Sequence, residues 1–233
     1  MQNQLLGKLK NYALSPTNLP GRFITNLFHR MWYRSPDTWR KNTFLGRRIL
    51  QCPFDLHLYQ EIIFKTKPSF ILQTGVKWGG SILYFASLLD LINADPSAIV
   101  IGVDITLPTT VKDDLIHPRI RLIEGSSTAS QTIEQIKMLL PASKGLVSLD
   151  SDHSQKHVSA ELQLYCEFVE IGSYLVVEDT NINGHPVARL SGPGPFEAVE
   201  NFLKTDNRFI RDNSLWQRNF FSFHQYGWLK RIN

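Results

Sequence analysis

The chain has 233 residues, 42% hydrophobic and 20% charged, with a formal net charge of +4 and two cysteines. That balance fits one large α/β domain with a full core plus a terminal extension, and excludes a disordered chain, two full enzymatic domains or a disulfide scaffold. Cys52 and Cys166 form no C-x-x-C pair, so a reducing compartment is expected.

No apolar run reaches the ~20 residues of a spanning helix. Lys8, Lys10, Pro16 and Pro20 break up the N-terminal leucines before a signal-peptide core can form. The expected protein is cytoplasmic, with peripheral membrane contact as a further option.

The charge is unevenly placed. Residues 1–48 hold Lys8, Lys10, Arg22, Arg30, Arg34, Arg40, Lys41, Arg47 and Arg48 against Asp37 alone, which leaves the remainder net acidic. Phe23, Phe28, Trp32, Tyr33, Trp39 and Phe44 share this arm. Cations mixed with aromatics suit a membrane surface, an anionic ligand or a partner subunit. No sustained amphipathic period is visible through the prolines, so the expected use is a helix packing its aromatics on the domain, or a subunit contact within a homo-oligomer. No nucleic-acid reader motif accompanies the charge, and no nucleic-acid partner is expected. Residues 1–48 are therefore expected as an extension, with a linker near 34–48, and residues 49–233 as the domain.

From residue 53 helix and strand patterns alternate. Pro53 starts a helix with Phe54, Leu58, Ile62 and Ile63 on one stripe. Ser69–Gln73 reads as a buried strand. Gly79-Gly80-Ser81 opens a helix apolar at Leu83, Phe85, Ala86, Leu88 and Leu89. Ala98–Val103 is the next strand, stopping on Asp104, and Arg119–Ile123 is the third. Thr128 is expected to cap a helix through Ile133, Ile136 and Leu140.

Leu146–Leu149 and Tyr174–Val177 are strands four and five, joined by a helix with Val158, Leu162, Tyr165 and Val169 on one face. A helix with Ala198, Val199, Phe202 and Leu203 follows Gly194-Pro195. Phe209-Ile210 and Phe220–Phe223 suggest two further strands in a hairpin-like finish, with Phe220, Phe221 and Phe223 in the core. Repeated β-α units with apolar strands imply an α/β, doubly wound, mostly parallel sheet.

Three features carry chemistry. The first strand runs into Thr74-Gly75-Val76-Lys77-Trp78-Gly79-Gly80-Ser81. Glycines let the backbone turn tightly against a ligand, and the following helix N-terminus offers N–H groups. Neither G-x-G-x-x-G nor a G-K-[ST] ending is present, which weakens dinucleotide and P-loop readings. Asp104 then stands where an acid accepts from ribose hydroxyls, so loop and acid point to a nucleoside-bearing cofactor.

Finally, strands four and five end on acid, at Asp150-Ser151-Asp152-His153 and Glu178-Asp179-Thr180. Asp150, Glu178 and Asp179 can converge on one cation, and His153 follows at a general-base spacing. His153 and His157 are four apart, but no third soft ligand supports zinc. His185 is either an acceptor-pocket or an ordinary loop histidine.

Together Gly75-x-x-x-Gly79-Gly80-Ser81, Gly125-Ser126-Ser127, Leu149–Ser154, the Val158-x-x-Glu161-Leu162-x-x-Tyr165 helix, Gly172–Thr180 and Gly192-Pro193-Gly194-Pro195 resemble the cephalosporin hydroxylase family. Its members look like class I S-adenosylmethionine-dependent methyltransferases, including rhamnosyl O-methyltransferases and the cephamycin methoxylation protein. The resemblance spans residues 45 to 231 and implies a seven-stranded Rossmann-like sheet.

It further implies S-adenosylmethionine along Gln73, Gly75, Gly79, Gly80 and Ser81, with Asp104 at its ribose, Ser126 or Ser127 near adenine, and Asp150 close by. Asp150, Glu178 and Asp179 become magnesium ligands, with His153 and Asp150 catalytic. Gln73 departs from the pattern, since many methyltransferases carry a carboxylate there. The implied reaction is magnesium-assisted methyl transfer to a hydroxyl of a glycan, glycolipid or secondary metabolite, the acceptor pocket drawing on residues 20–50 and 181–195. An Fe(II)-dependent hydroxylase and a noncatalytic partner subunit of the same fold are the other readings.

Overall fold

The computed structural model describes residues 18–141, 145–190 and 192–233; the arm's earlier cations, Lys8 and Lys10, lie outside them. Seven strands form one sheet: β1 (Phe70–Thr74), β2 (Ile99–Asp104), β3 (Ile120–Glu124), β4 (Gly145–Leu149), β5 (Tyr174–Val177), β6 (Phe209–Arg211) and β7 (Trp228–Arg231). Their order is β3-β2-β1-β4-β5-β7-β6, parallel except that β7 runs antiparallel to both β5 and β6. The expected architecture is thus borne out.

Every residue of β1, β4 and β5 is buried, as strands covered on both faces require. Alternation along them feeds two cores. Ile71, Val100, Leu146 and Val176 pack against helices α2 (Pro53–Thr66) and α3 (Gly80–Leu91). Leu72, Ile101, Val147 and Leu175 meet α5 (Ser130–Leu139), α6 (Gln155–Tyr165) and α7 (Pro195–Thr205) on the other face. Short α4 (Thr109–Asp114) and α8 (Asn213–Gln217) complete the unit. Chain order reverses between β1 and β4, opening a crevice above their carboxyl ends.

Three local expectations are corrected. Ala129, not Thr128, is the N-cap of α5; the Thr128 hydroxyl bonds Ser126 instead. The last strand is Trp228–Arg231, whereas Phe220–Phe223 is a loop whose aromatic density marked a packing site. Phe221 and Phe223 are core as expected, but Phe220 is exposed.

A 16-residue helix, α1 (Leu19–Arg34), forms despite Pro20, which sits in its first turn where no intrahelical N–H is needed. The Asn18 side chain caps it by accepting from the Gly21 N–H at 2.9 Å. It docks on the domain through His29, Trp32 and Tyr33, which surround Phe221 and Phe223; the His29 ring stacks 5.5 Å from Phe223. Packing of aromatics on the domain therefore holds for Trp32, Tyr33 and Trp39, and for Phe28 edge-on against Phe221 at 5.4 Å, but not for Phe23, which faces solvent. A short hairpin, Thr43–Phe44 with Arg47–Arg48, then lies against α3 through Phe44 and Tyr84.

Candidate active site

One cleft of about 690 Å³ occupies the crevice. Of the side chains chosen from sequence, Gln73, Gly75, Gly80, Ser81, Asp104, Ser126, Ser127, Asp150, His153, Glu178 and Asp179 all line it; Gly79 does not. The described residues of 181–195 are also absent from the lining, while Tyr33, Trp39 and Arg48–Gln51 supply a wall from the N-terminal side. His185 accompanies a smaller, separate cleft, where it hydrogen-bonds Glu197 at 2.8 Å and packs on Phe196.

The glycine loop is a backbone construction. Gly75 has φ +80°, and a Cβ there would overlap the Asp150 carbonyl oxygen, so the tips of β1 and β4 meet only because this residue is glycine. A Cβ at Gly80 would likewise collide with the Arg48 carbonyl, fixing how closely the hairpin approaches α3. Asp104 Oδ2 accepts from the amides of Val76 and Lys77 at 2.8 and 2.9 Å, and Oδ1 accepts from Thr106 at 3.2 Å. The acid at the β2 tip thus clamps the loop as well as facing the cleft.

Gln73 is buried and its Nε2 donates to the Gly75 carbonyl at 2.6 Å. Its Oε1 is buried with no protein partner among the described residues. A buried acceptor left open at a ligand cleft is the complement of a cationic or N–H-bearing group.

The acidic half is built from side chains. Asp150, His153 and Asp179 each offer a ligand atom within 4.8 Å of the others, the group among the described residues able to share one ion. His153 Nε2 lies 3.3 Å from Asp150 Oδ1, and Nδ1 lies 3.6 Å from Asp179 Oδ2. Burial alone would lower the His153 pKa, but the charges of Asp179, Asp150 and Asp152 prevail and raise it to about 9. Burial, opposed by His153 and helped by Asp150, raises Asp179 to about 6. Asp179 also sits at φ +53°, a left-handed conformation that Asp tolerates better than most residues.

Glu178 is placed differently. It is buried behind this trio, and Oε1 accepts from Tyr59 and Ser148 at 2.7 and 2.5 Å while Gln51 Nε2 reaches both oxygens, at 2.8 and 2.6 Å. Burial, then the Asp150 charge, pushes its pKa well above the usual carboxylate range. His224 stands underneath. Its Nδ1 accepts the Asp179 backbone N–H at 2.9 Å, which puts the ring proton on Nε2, 3.5 Å from Glu178 Oε2 and 3.7 Å from Asp55.

Gln51, Tyr59, Ser148 and His224 are the residues sequence reasoning missed. One signal was readable: Ser148 interrupts an otherwise apolar strand, and Tyr59 carries a hydroxyl among the apolar positions of α2. His157 is not with His153, since its Nε2 contacts Ser127 at 2.9 Å and Glu161 at 3.6 Å. The zinc pairing is therefore absent, and the two-histidine facial set of a non-haem iron site is not formed by these side chains.

Residues 36–232 match the family model described as rhamnosyl O-methyltransferase/CmcI. The chain belongs to that family. A rhamnosyl O-methyltransferase of Mycobacterium bovis is 36% identical over 202 residues, covering 84% of this chain and 81% of the relative. The Mycobacterium leprae rhamnosyl O-methyltransferase is 38% identical over 183 residues, 78% of each.

The fold is also that of a solved CmcI structure with Mg and SAM, at TM-score 0.61 and 20% identity over 87% of this chain and 83% of that one. The Bacillus cereus O-methyltransferase in complex with SAH aligns over 97% of both chains at TM-score 0.52 and 10% identity. The family resemblance and enzyme class expected from sequence are thus borne out: this is an S-adenosylmethionine-dependent O-methyltransferase of the rhamnosyl O-methyltransferase/CmcI family.

Proposed function

We propose that this family member methylates a hydroxyl of a sugar, a rhamnose-like residue of a glycolipid or of a glycosylated secondary metabolite, with magnesium as second cofactor. The observation carrying the reading is the contact at Gly75, which sets the glycine loop directly against the Asp150 tip, so that donor and acid sites share one cleft. Gln73, Gly75, Gly80 and Ser81 hold the methionine part of the donor, with Gly79 shaping the turn. The open Gln73 Oε1 accepts from its amino group. Asp104 takes the ribose, and Ser126 and Ser127 the adenine side.

Asp150 and Asp179 would supply hard oxygen donors for magnesium, with Glu178, held behind them by Gln51, Tyr59 and Ser148, as the third carboxylate. Bound there, the cation supplies the Lewis acidity that makes a sugar hydroxyl nucleophilic near neutral pH. The chain positions that oxygen for in-line attack: an O–CH₃ bond forms, the donor's S–CH₃ bond breaks, and S-adenosylhomocysteine leaves. His153 takes the hydroxyl proton, its basicity set by how far the neighbouring carboxylates are neutralised.

Tyr33 and Trp39, both partly exposed, line the remaining wall and offer aromatic surface to the apolar side of a deoxysugar, with buried Phe223 packed behind them. The same division is retained for the chain, an extension over residues 1–48 and a methyltransferase domain over 49–233, with a cytoplasmic placement. Asp150→Ala should reduce turnover of a rhamnosylated acceptor by about 100-fold or more, while calorimetry finds S-adenosylmethionine affinity within about threefold of the parent. Full turnover in that variant, or in the parent under a chelator, would overturn the metal role.

A further inference from the structure

Helix α1 is docked the opposite way round from an ordinary amphipathic helix, which turns its apolar stripe to the core. Its buried side is Gly21 and His29, with Trp32 and Tyr33 partly covered. Leu19, Phe23, Ile24, Leu27 and Met31 point outward, with exposures from 56% at Ile24 to 82% at Leu19, and Phe28 at the border of this face touches Phe221 with one ring edge. The spacing of 19, 23, 27 and 31, with 24 and 28 beside it, places all six on one continuous face of the helix. Burying even half of that face would have been favourable had the domain offered a partner for it.

Charge names the occupant. Between Asn18 and Pro36 the chain carries Arg22, Arg30 and Arg34 and no acidic residue. Arg22 and Arg34 are exposed, while Arg30 donates from Nε to the Pro186 carbonyl at 3.1 Å. A symmetric contact with a second copy would bring these cations together without a compensating carboxylate on the helix. An anionic bilayer accepts both features at once, the apolar side chains entering the acyl boundary and the arginines meeting headgroup phosphates. No described helix is long and apolar enough to cross a membrane, so α1 would lie in the interface plane.

We propose that the outward apolar face of α1 docks the protein on an anionic lipid bilayer. The last turn of the same helix carries Tyr33, which lines the catalytic cleft. Docking therefore brings the cleft's aromatic wall beside the membrane surface. The inference goes beyond the methyl-transfer reading and does not depend on it.

The test uses the full chain in vesicle flotation with phosphatidylglycerol or with phosphatidylcholine alone, and light scattering for mass. The parent should float with phosphatidylglycerol, and less so as salt is raised. Phe23→Ser with Leu27→Ser should weaken flotation about 10-fold or more at unchanged melting temperature, since both side chains already face water. Arg22→Glu with Arg34→Glu should act in the same direction through the headgroup term. Three outcomes overturn the proposal: no flotation of the parent, flotation indifferent to the serine variant, or an oligomer that the serine variant converts to monomer. Flotation lost on deleting residues 1–17 yet kept in the serine variant also overturns it, by assigning the contact to that segment.

Discussion

The two halves of the cleft are held together by different forces. On the donor side, close main-chain approaches at Gly75 and Gly80 and the Asp104 carboxylate's bonds to the Val76 and Lys77 amides fix the backbone. On the acid side, buried Glu178 and partly buried Asp179, with Asp55 buried beneath the cleft, are carboxylates whose pKa values burial pushes upward. The difference teaches that the first half fails when an atom is added, and the second when a charge or a hydrogen-bond partner changes.

The largest effect should come from Gly75→Ala. A methyl group there overlaps the Asp150 carbonyl and forces a positive φ on alanine. Loss of about 2 kcal/mol or more of stability is expected, with donor binding and turnover lost together. Retained donor affinity measured by calorimetry would break the claim that the loop depends on this close approach.

Next is Glu178, where two substitutions separate support from ligation. Glu178→Ala leaves Gln51, Tyr59 and Ser148 without their acceptor and should cost about 2–3 kcal/mol in denaturant unfolding. Glu178→Gln keeps an acceptor oxygen and should unfold much closer to the parent. If Glu178 also ligates magnesium, the Gln variant will need a raised magnesium concentration for turnover; an unchanged magnesium titration would confine it to holding the site's floor.

Asp55 sharpens the comparison through pH. It is fully buried, accepts from the Phe223 amide at 2.7 Å, and burial raises its pKa to about 7 despite that bond and one from Ser222. Because the folded value lies above the unfolded one, near 3.8, its stabilising contribution is complete below the unfolded pKa and is lost as pH rises through about 7. Asp55→Asn should therefore gain on the parent by about 2 kcal/mol between pH 5 and pH 8. Parallel stability curves for the two proteins would refute a buried, pH-responsive carboxyl at that position.

The smallest effect belongs to Gln73→Glu. It converts the open acceptor into a charged one at an otherwise unaltered backbone, so donor affinity should change by about 10-fold or less, in the direction of tighter binding. Weaker binding would show that Gln73 Oε1 does not face the donor's amino group.

The same contrast explains what was legible in the sequence. β1 to β5, the glycine loop, Asp104 and the acidic strand tips are local patterns, and each was read at its place. The support of Glu178 was not, because Gln51 and Tyr59 lie 127 and 119 residues away and only the sheet brings them together. β7 was misplaced because Phe220–Phe223 is richer in aromatics than Trp228–Arg231, yet those aromatics serve to seat His29 and Trp32 rather than to pair. The apolar period of α1 was hidden by Pro20, which a first-turn position tolerates.

The bare hydrogen at Gly75 has a thermodynamic consequence. The β1 and β4 tips are in direct contact there, and the Asp150 amide also donates to the Thr74 carbonyl at 3.0 Å. On the proposed assignment, a ligand that settles the loop also settles the anchor of the Asp150 carboxylate, and whatever factor the cation exerts on donor affinity the donor exerts on cation affinity. The Asp150→Ala calorimetry, with donor affinity expected within about threefold of the parent, sets that factor as small.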